Sequence, residues 1–170
     1  LVDLKTVKQH DKVMLEAIML QTYRAFVPPQ TQNAVLSGAN LLGLKARNAH
    51  ELEDLLERGL DPTALQTLRE ATDLTFQTLA AIARMSYESL NRYRKSGKAL
   101  PAEASTHLYE FARLFERTLE IIPDRREAQA WLREPVLALG NRSPLETLTS
   151  SLGVERIAHI LERLDDGVYS

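Results

Sequence analysis

The sequence predicts an all-α protein, on three observations. Leu, Ala, Glu and Arg, all good helix formers, dominate the 170 residues. The seven Gly and seven Pro are unevenly spread and leave long stretches without a helix breaker. Within those stretches apolar residues recur at three- and four-residue steps, the period of an amphipathic helix. Hydrophobic residues make up 44% and charged residues 26%, ordinary for a globular chain with room for one medium core or two small ones.

A first helix is expected over residues 5–26, with Val13, Ala17, Leu20 and Tyr23 or Arg24 along one side. Pro28 and Pro29 stop it, because proline lacks the amide donor and restricts the residue before it. Residues 30–43 are polar and contain glycine, and read as a connection. A helix should resume after Asn48 as N-cap and stop at Gly59, burying Leu52, Leu55 and Leu56. Asp61 and Pro62 open the next, with Leu65, Leu68 and Ala71 at helical spacing. Two short helices follow over 75–83 and 87–95. The longest is expected between Pro101 and Pro123, its Leu108, Phe111, Phe115, Leu119 and Ile122 on one face. After a helix ending at Glu134-Pro135 and a turn at Gly140-Asn141, Ser143-Pro144-Leu145-Glu146 has the form of a capping box. A final helix is expected from about Val154 to Asp166, with Gly167 as its stop.

Residues 76–95 fit the spacing of a helix-turn-helix. The buried positions fall on Leu79, Ala83, Met85, Leu90 and Tyr93, and small Ala80 sits where the helices come closest. Ser86 can cap the second helix. The turn usually holds glycine because its φ is positive, and here it holds Arg84. Net charge is −2 and pI about 6.1, so any DNA binding must come from local charge. Over 84–98 five basic residues stand against Glu88 alone, a local charge of +4. Tyr87, Glu88, Asn91, Arg92 and Lys95 lie opposite the buried side of the second helix. Set in a major groove, Asn91 and Arg92 are placed to read base edges, and Ser86, Lys95 and Lys98 to hold phosphates. The competing reading is a helical hairpin whose basic side merely faces solvent.

Catalysis is not expected. His10, His50, His107 and His159 are scattered, and His50-Glu51 lacks the second His four places on. Glu155 and His159 share a helix face, which suits an ion pair better than a metal needing three or more ligands. There is no nucleophile elbow and no glycine-rich phosphate loop. No cofactor is expected. The absence of Cys excludes disulfides and zinc fingers and suits a reducing cytoplasm. No run approaches the roughly 20 apolar residues of a membrane span. No signal peptide is visible, so neither export nor a membrane partner is expected, and Leu1 in place of Met suits a trimmed start.

In the last segment, Trp131 is expected to anchor a small helical module with Leu132, Leu137, Leu148, Ile157 and Leu161 around it. Its marks are Ala128, Trp131-Leu132, Pro135, Leu139-Gly140, Arg142, Pro144-Leu145, Gly153 and the closing Gly167-Val168-Tyr169-Ser170. They resemble the toxin-binding C-terminal domain of the Xre, MbcA and ParS antitoxins. Residues 60–122 resemble the Xre-type helix-turn-helix that precedes it.

The resemblance covers about two-thirds of the chain and implies an antitoxin that is not an enzyme. It would neutralise a RES-domain, NAD-consuming toxin, bind the operator DNA of its own operon as a transcription repressor, and act as a homodimer in a toxin–antitoxin assembly. Three parts follow: an N-terminal region over 1–59 that helps dimerisation, a DNA-binding domain over 60–123 and a toxin-binding domain over 124–170. For the tail two readings stay open. Val168, Tyr169 and Ser170, with Arg163 nearby, occupy the toxin's substrate cleft, or Tyr169 folds back onto the module. The alternatives for the whole chain are a stand-alone regulator with a sensing module, and an interaction protein without DNA binding.

Overall fold

The computed structural model describes residues 36–150 and 152–165. The helix expected over 5–26, its stop at Pro28-Pro29 and the tail 168–170 lie outside the described residues. Among the described residues the chain is helical throughout, with no strand beyond a single isolated bridge. A 3-10 turn spans Asn40–Leu42. It is followed by α1 (Ala49–Arg58), α2 (Thr63–Thr72), α3 (Phe76–Ile82), α4 (Tyr87–Ser96), α5 (Ala102–Ile121) and α6 (Arg125–Trp131). A second 3-10 turn, Leu137–Leu139, then leads to α7 (Pro144–Leu148) and α8 (Gly153–Asp165). None of these helices is long and apolar enough to cross a membrane.

The helix starts follow local chemistry. Asn48, Thr75, Ser86 and Ser143 each accept a hydrogen bond from the backbone three residues on. Such caps are typically worth about 1 kcal/mol. Asp61 acts one residue earlier than expected: its Oδ1 accepts from the Thr63 amide at 2.8 Å, and Pro62 takes the cap position. The hydrogen bonds from Thr63 hold the Asp61 carboxyl below the usual carboxylate range.

Helix α5 is the central post. Helices α1, α3, α6 and α8 and the first 3-10 turn all pack on it. Its Leu108, Phe111 and Phe115 are fully buried, as their spacing predicts, with Phe111 and Phe115 stacked at 6.4 Å. Leu119 and Ile122, further along, are half-buried. Two polar side chains enter this core with their bonds made. Ser105 Oγ donates to the Pro101 carbonyl and accepts from the Leu60 amide, both at 2.9 Å, and Thr118 Oγ1 donates to the Leu114 carbonyl at 2.9 Å. Buried hydroxyls are tolerated only on those terms.

The expected connection over 30–43 is, from residue 36 on, a packed element. Ala39 and Leu42 are buried. Glu116 of α5 accepts hydrogen bonds from the Ser37 hydroxyl and the Gly38 amide. Gly38 lies so close to α5 that a Cβ there would sit 2.4 Å from the Arg113 nitrogen. Polar composition suggested a linker, but two apolar residues and a glycine were enough to dock it.

Candidate functional site

Helices α3 and α4 meet through the turn 83–86 and form the expected helix-turn-helix, with Leu79, Ala80, Ala83 and Leu90 buried. Met85 and Tyr93 lie at the edge of the core, half-buried. Arg84 takes the left-handed conformation that a glycine normally supplies, with φ of 54°. Its guanidinium reaches the Ser150 carbonyl at 3.4 Å, so the side chain gains a partner where the backbone is strained. Arg84→Gly relieves the left-handed strain but enlarges the unfolded ensemble and gives up this exposed bond. The net expectation is a gain of about 0.5 kcal/mol, a thermal midpoint roughly 1–2 °C higher, with helical content unchanged. A midpoint several degrees lower would show that the arginine contact outweighs the strain.

The outer face of α4 is the candidate site. Tyr87, Asn91 and Lys95 form one row at four-residue steps, and Glu88, Arg92 and Ser96 the next; together they line one solvent-open recess. Arg92, Lys95 and Lys98 are exposed, and Tyr87 is one of few large apolar side chains exposed among the described residues. The Asn91 Oδ1 accepts from Arg94 Nη1 at 3.1 Å, which leaves its amide NH2 as the donor. Ser86 caps α4: its Oγ accepts from the Ser89 amide at 3.1 Å and donates to the Ser89 hydroxyl at 3.0 Å.

The basic cluster counted along the chain divides in space. Arg94 turns inward and sits 3.6 Å above the Phe76 ring, with Arg69 at 5.2 Å from the same ring, a cation–π clamp between α4 and α3. Arg84 leaves for Ser150. What stays on the open side is Arg92, Lys95 and Lys98 beside Glu88. A linear count cannot make this division, because Arg92 and Arg94 lie about 200° apart around the helix axis.

The C-terminal module is bolted to this core. Gln129 Nε2 donates to the Ala71 carbonyl at 3.1 Å, and Arg133 Nη2 to the Asp73 carbonyl at 2.6 Å. Both acceptors are at the C-terminal end of α2, whose exposed carbonyls favour a cation. At the far end Arg117 of α5 pairs with Asp165 of α8 at 2.5 Å and with Glu120 at 2.6 Å. Its pKa is raised, first by the hydrogen bond to Glu120, with partial burial opposing and Asp165 adding. Sequence reasoning missed the bonds to Ala71, Asp73 and Asp165, since their partners are 48 to 60 residues apart.

Within the module Leu132, Leu148, Ile157 and Leu161 are buried as expected. Two expectations are corrected. Trp131 is half-buried rather than central, and Leu137 is 81% exposed. Leu139 takes its place at 2% exposure. A 3-10 turn advances about 120° per residue, so residues two apart cannot both face the core. The capping box is complete: the Ser143 amide donates to Glu146 Oε2 at 2.8 Å and the Glu146 amide to Ser143 Oγ at 3.2 Å. His159 lies 3.3 Å from Glu162, one turn further along α8, rather than paired with the Glu155 expected one turn before it. Arg163 is exposed on α8. Val168, Tyr169 and Ser170 lie outside the described residues.

Comparison with known proteins converges on the same module. Residues 118–167 match the family described as the antitoxin Xre/MbcA/ParS C-terminal toxin-binding domain. The chain is 23% identical over 130 residues to an Antitoxin Xre of Yersinia enterocolitica, covering 76% of this chain and 88% of the relative. It is 23% identical over 131 residues to an Antitoxin Xre of Photorhabdus laumondii, with the same 76% and 88% coverage. The module formed by α6–α8 and the end of α5 is thus similar to the toxin-binding domain of the Xre/MbcA/ParS antitoxins, and 76% of the chain aligns with relatives named Antitoxin Xre.

Proposed function

We propose that this chain is an antitoxin that represses its own operon by setting α4 in the major groove of operator DNA, and neutralises a RES-domain, NAD-consuming toxin through residues 124–170. The observation that carries the DNA half is the outer face of α4, where Asn91, Arg92 and Lys95 share one open recess. Asn and Arg are the side chains that pair bidentately with adenine and guanine edges. Arg92 and Asn91 read bases, Lys95 and Lys98 hold phosphates, and Tyr87 and Glu88 flank them. Ser86 presents the helix start to the backbone.

For the toxin half, Val168, Tyr169 and Ser170, with Arg163 on α8, enter the toxin's substrate cleft. Residues 60–123 form the DNA-binding part, and residues 1–59 support a homodimer. The protein acts in the cytoplasm and without catalysis of its own.

Co-expression with the neighbouring reading frame tests this. A tight complex, normal growth and preserved NAD are expected, and deletion of residues 168–170 should restore toxicity and NAD loss. A complex whose toxin leaves NAD untouched would overturn the RES assignment. Absence of both complex and toxicity would overturn the toxin half altogether.

A further inference from the structure

Among the described residues three large apolar side chains stand out in solvent: Tyr87 on the α4 face, and Leu137 and Leu152 in the C-terminal module. The last two are 81% and 60% exposed. Leu137 is the first residue inside a short hairpin whose backbone is closed on itself. The Val136 amide donates to the Arg142 carbonyl at 3.0 Å, and the Asn141 amide returns to the Val136 carbonyl at 3.1 Å. Asn141 is held at φ of 60°, a left-handed position that a non-glycine residue occupies at a cost. Leu139, buried on the inner side, and the packing of the turn on α8 fix the hairpin to the core. Leu152 immediately precedes the first residue of α8. Leu137 is therefore exposed on a backbone that has little left to order when a partner arrives, and Leu152 is exposed at the start of a helix packed on the core.

We propose that Leu137 and Leu152 are apolar anchors by which the module holds its toxin, a contact separate from the tail and from the α4 face. The proposal rests on residues 118–167 being a toxin-binding domain, within which both leucines fall. Charge argues against nucleic acid as the occupant: that segment has nine acidic and six basic residues, a net −3. Burying an exposed apolar side chain against a partner gains affinity, the more so where little ordering cost is paid.

The experiment compares the full chain with Leu137→Ser, Leu152→Ser and the double variant, titrated against the protein encoded beside its gene. Each single change is expected to weaken binding about tenfold and the double about a hundredfold. Thermal midpoints should stay within about 2 °C of the parent, since both residues are already in water. Leu137→Met should restore most of the affinity, because volume and apolarity are kept. Toxin affinity within about twofold of the parent for the double variant would overturn the proposal. So would a change of oligomeric state at unchanged toxin affinity, which would give the surface to a second copy of the chain. If the unaltered chain fails to bind the toxin, the toxin-binding reading falls and the anchors with it, an outcome distinct from loss in the variants alone.

Discussion

Gly153→Ala is expected to unfold the C-terminal module and abolish toxin neutralisation. Gly153 opens α8, and there is no room for a side chain. A Cβ would lie 2.0 Å from the Thr147 carbonyl oxygen, 2.7 Å from its carbon and 2.9 Å from the Leu148 Cα. All three are backbone atoms of α7 and cannot swing aside. Helix α7 is pinned by its capping box and by the Leu145 amide donating to the Leu132 carbonyl at 3.1 Å. On the other side Ile157 and Leu161 hold α8 in the core at 0% and 1% exposure. Accommodating one methyl means parting α7 from α8. Overpacking of this kind costs about 3 kcal/mol or more. The thermal midpoint should fall by roughly 6–12 °C, read by circular dichroism. Co-purification with the toxin should fail in the same preparation. A variant that melts with the parent and still captures toxin would mean that the two helices do not approach as closely as described.

Changing Arg92 and Lys95 together to alanine should leave the fold intact and weaken operator binding about a hundredfold. Both are exposed on the open side of α4, so the stability change should stay within about 0.5 kcal/mol. Loss of a phosphate contact also lowers the salt slope of binding by about one unit per contact. Fluorescence anisotropy on DNA from upstream of the gene, at two salt concentrations, reads both effects. Arg94→Ala is the informative contrast. Its side chain sits on Phe76 and holds Asn91 Oδ1, so it should lower the melting midpoint through the α3–α4 clamp and touch DNA binding only by releasing Asn91. Operator binding by the double variant within about twofold of the parent would remove the outer face of α4 as the DNA surface. Toxin neutralisation should be unchanged by the double variant, because neither residue lies in the matched toxin-binding segment.

The two sites were unequally legible in the sequence. The α4 face could be read because a helix converts spacing into direction: positions 87, 88, 91, 92 and 95 fall on one side whatever the helix packs against. The separation of Arg94 from that face was less visible. It depends on Phe76 lying beneath it, a contact between two helices. Leu137 shows the converse. Its hydrophobicity suggested burial, and the phase of a three-residue turn turned it outward instead.

Local, short-range chemistry was thus determined by the sequence itself: which segments are helical, where Asn48, Ser86 and Ser143 start them, and which face of each is apolar. These depend on neighbours within four residues, and so on order along the chain alone. Tertiary structure decided what required distant segments to meet. It docked residues 36–43 against α5, placed Arg133 on the carbonyl of Asp73, and gave Arg84 a partner at Ser150. It also chose which leucine of the 136–142 hairpin faces solvent. The physical reason is that a hydrogen bond or a close approach between segments tens of residues apart leaves no periodic trace in either one.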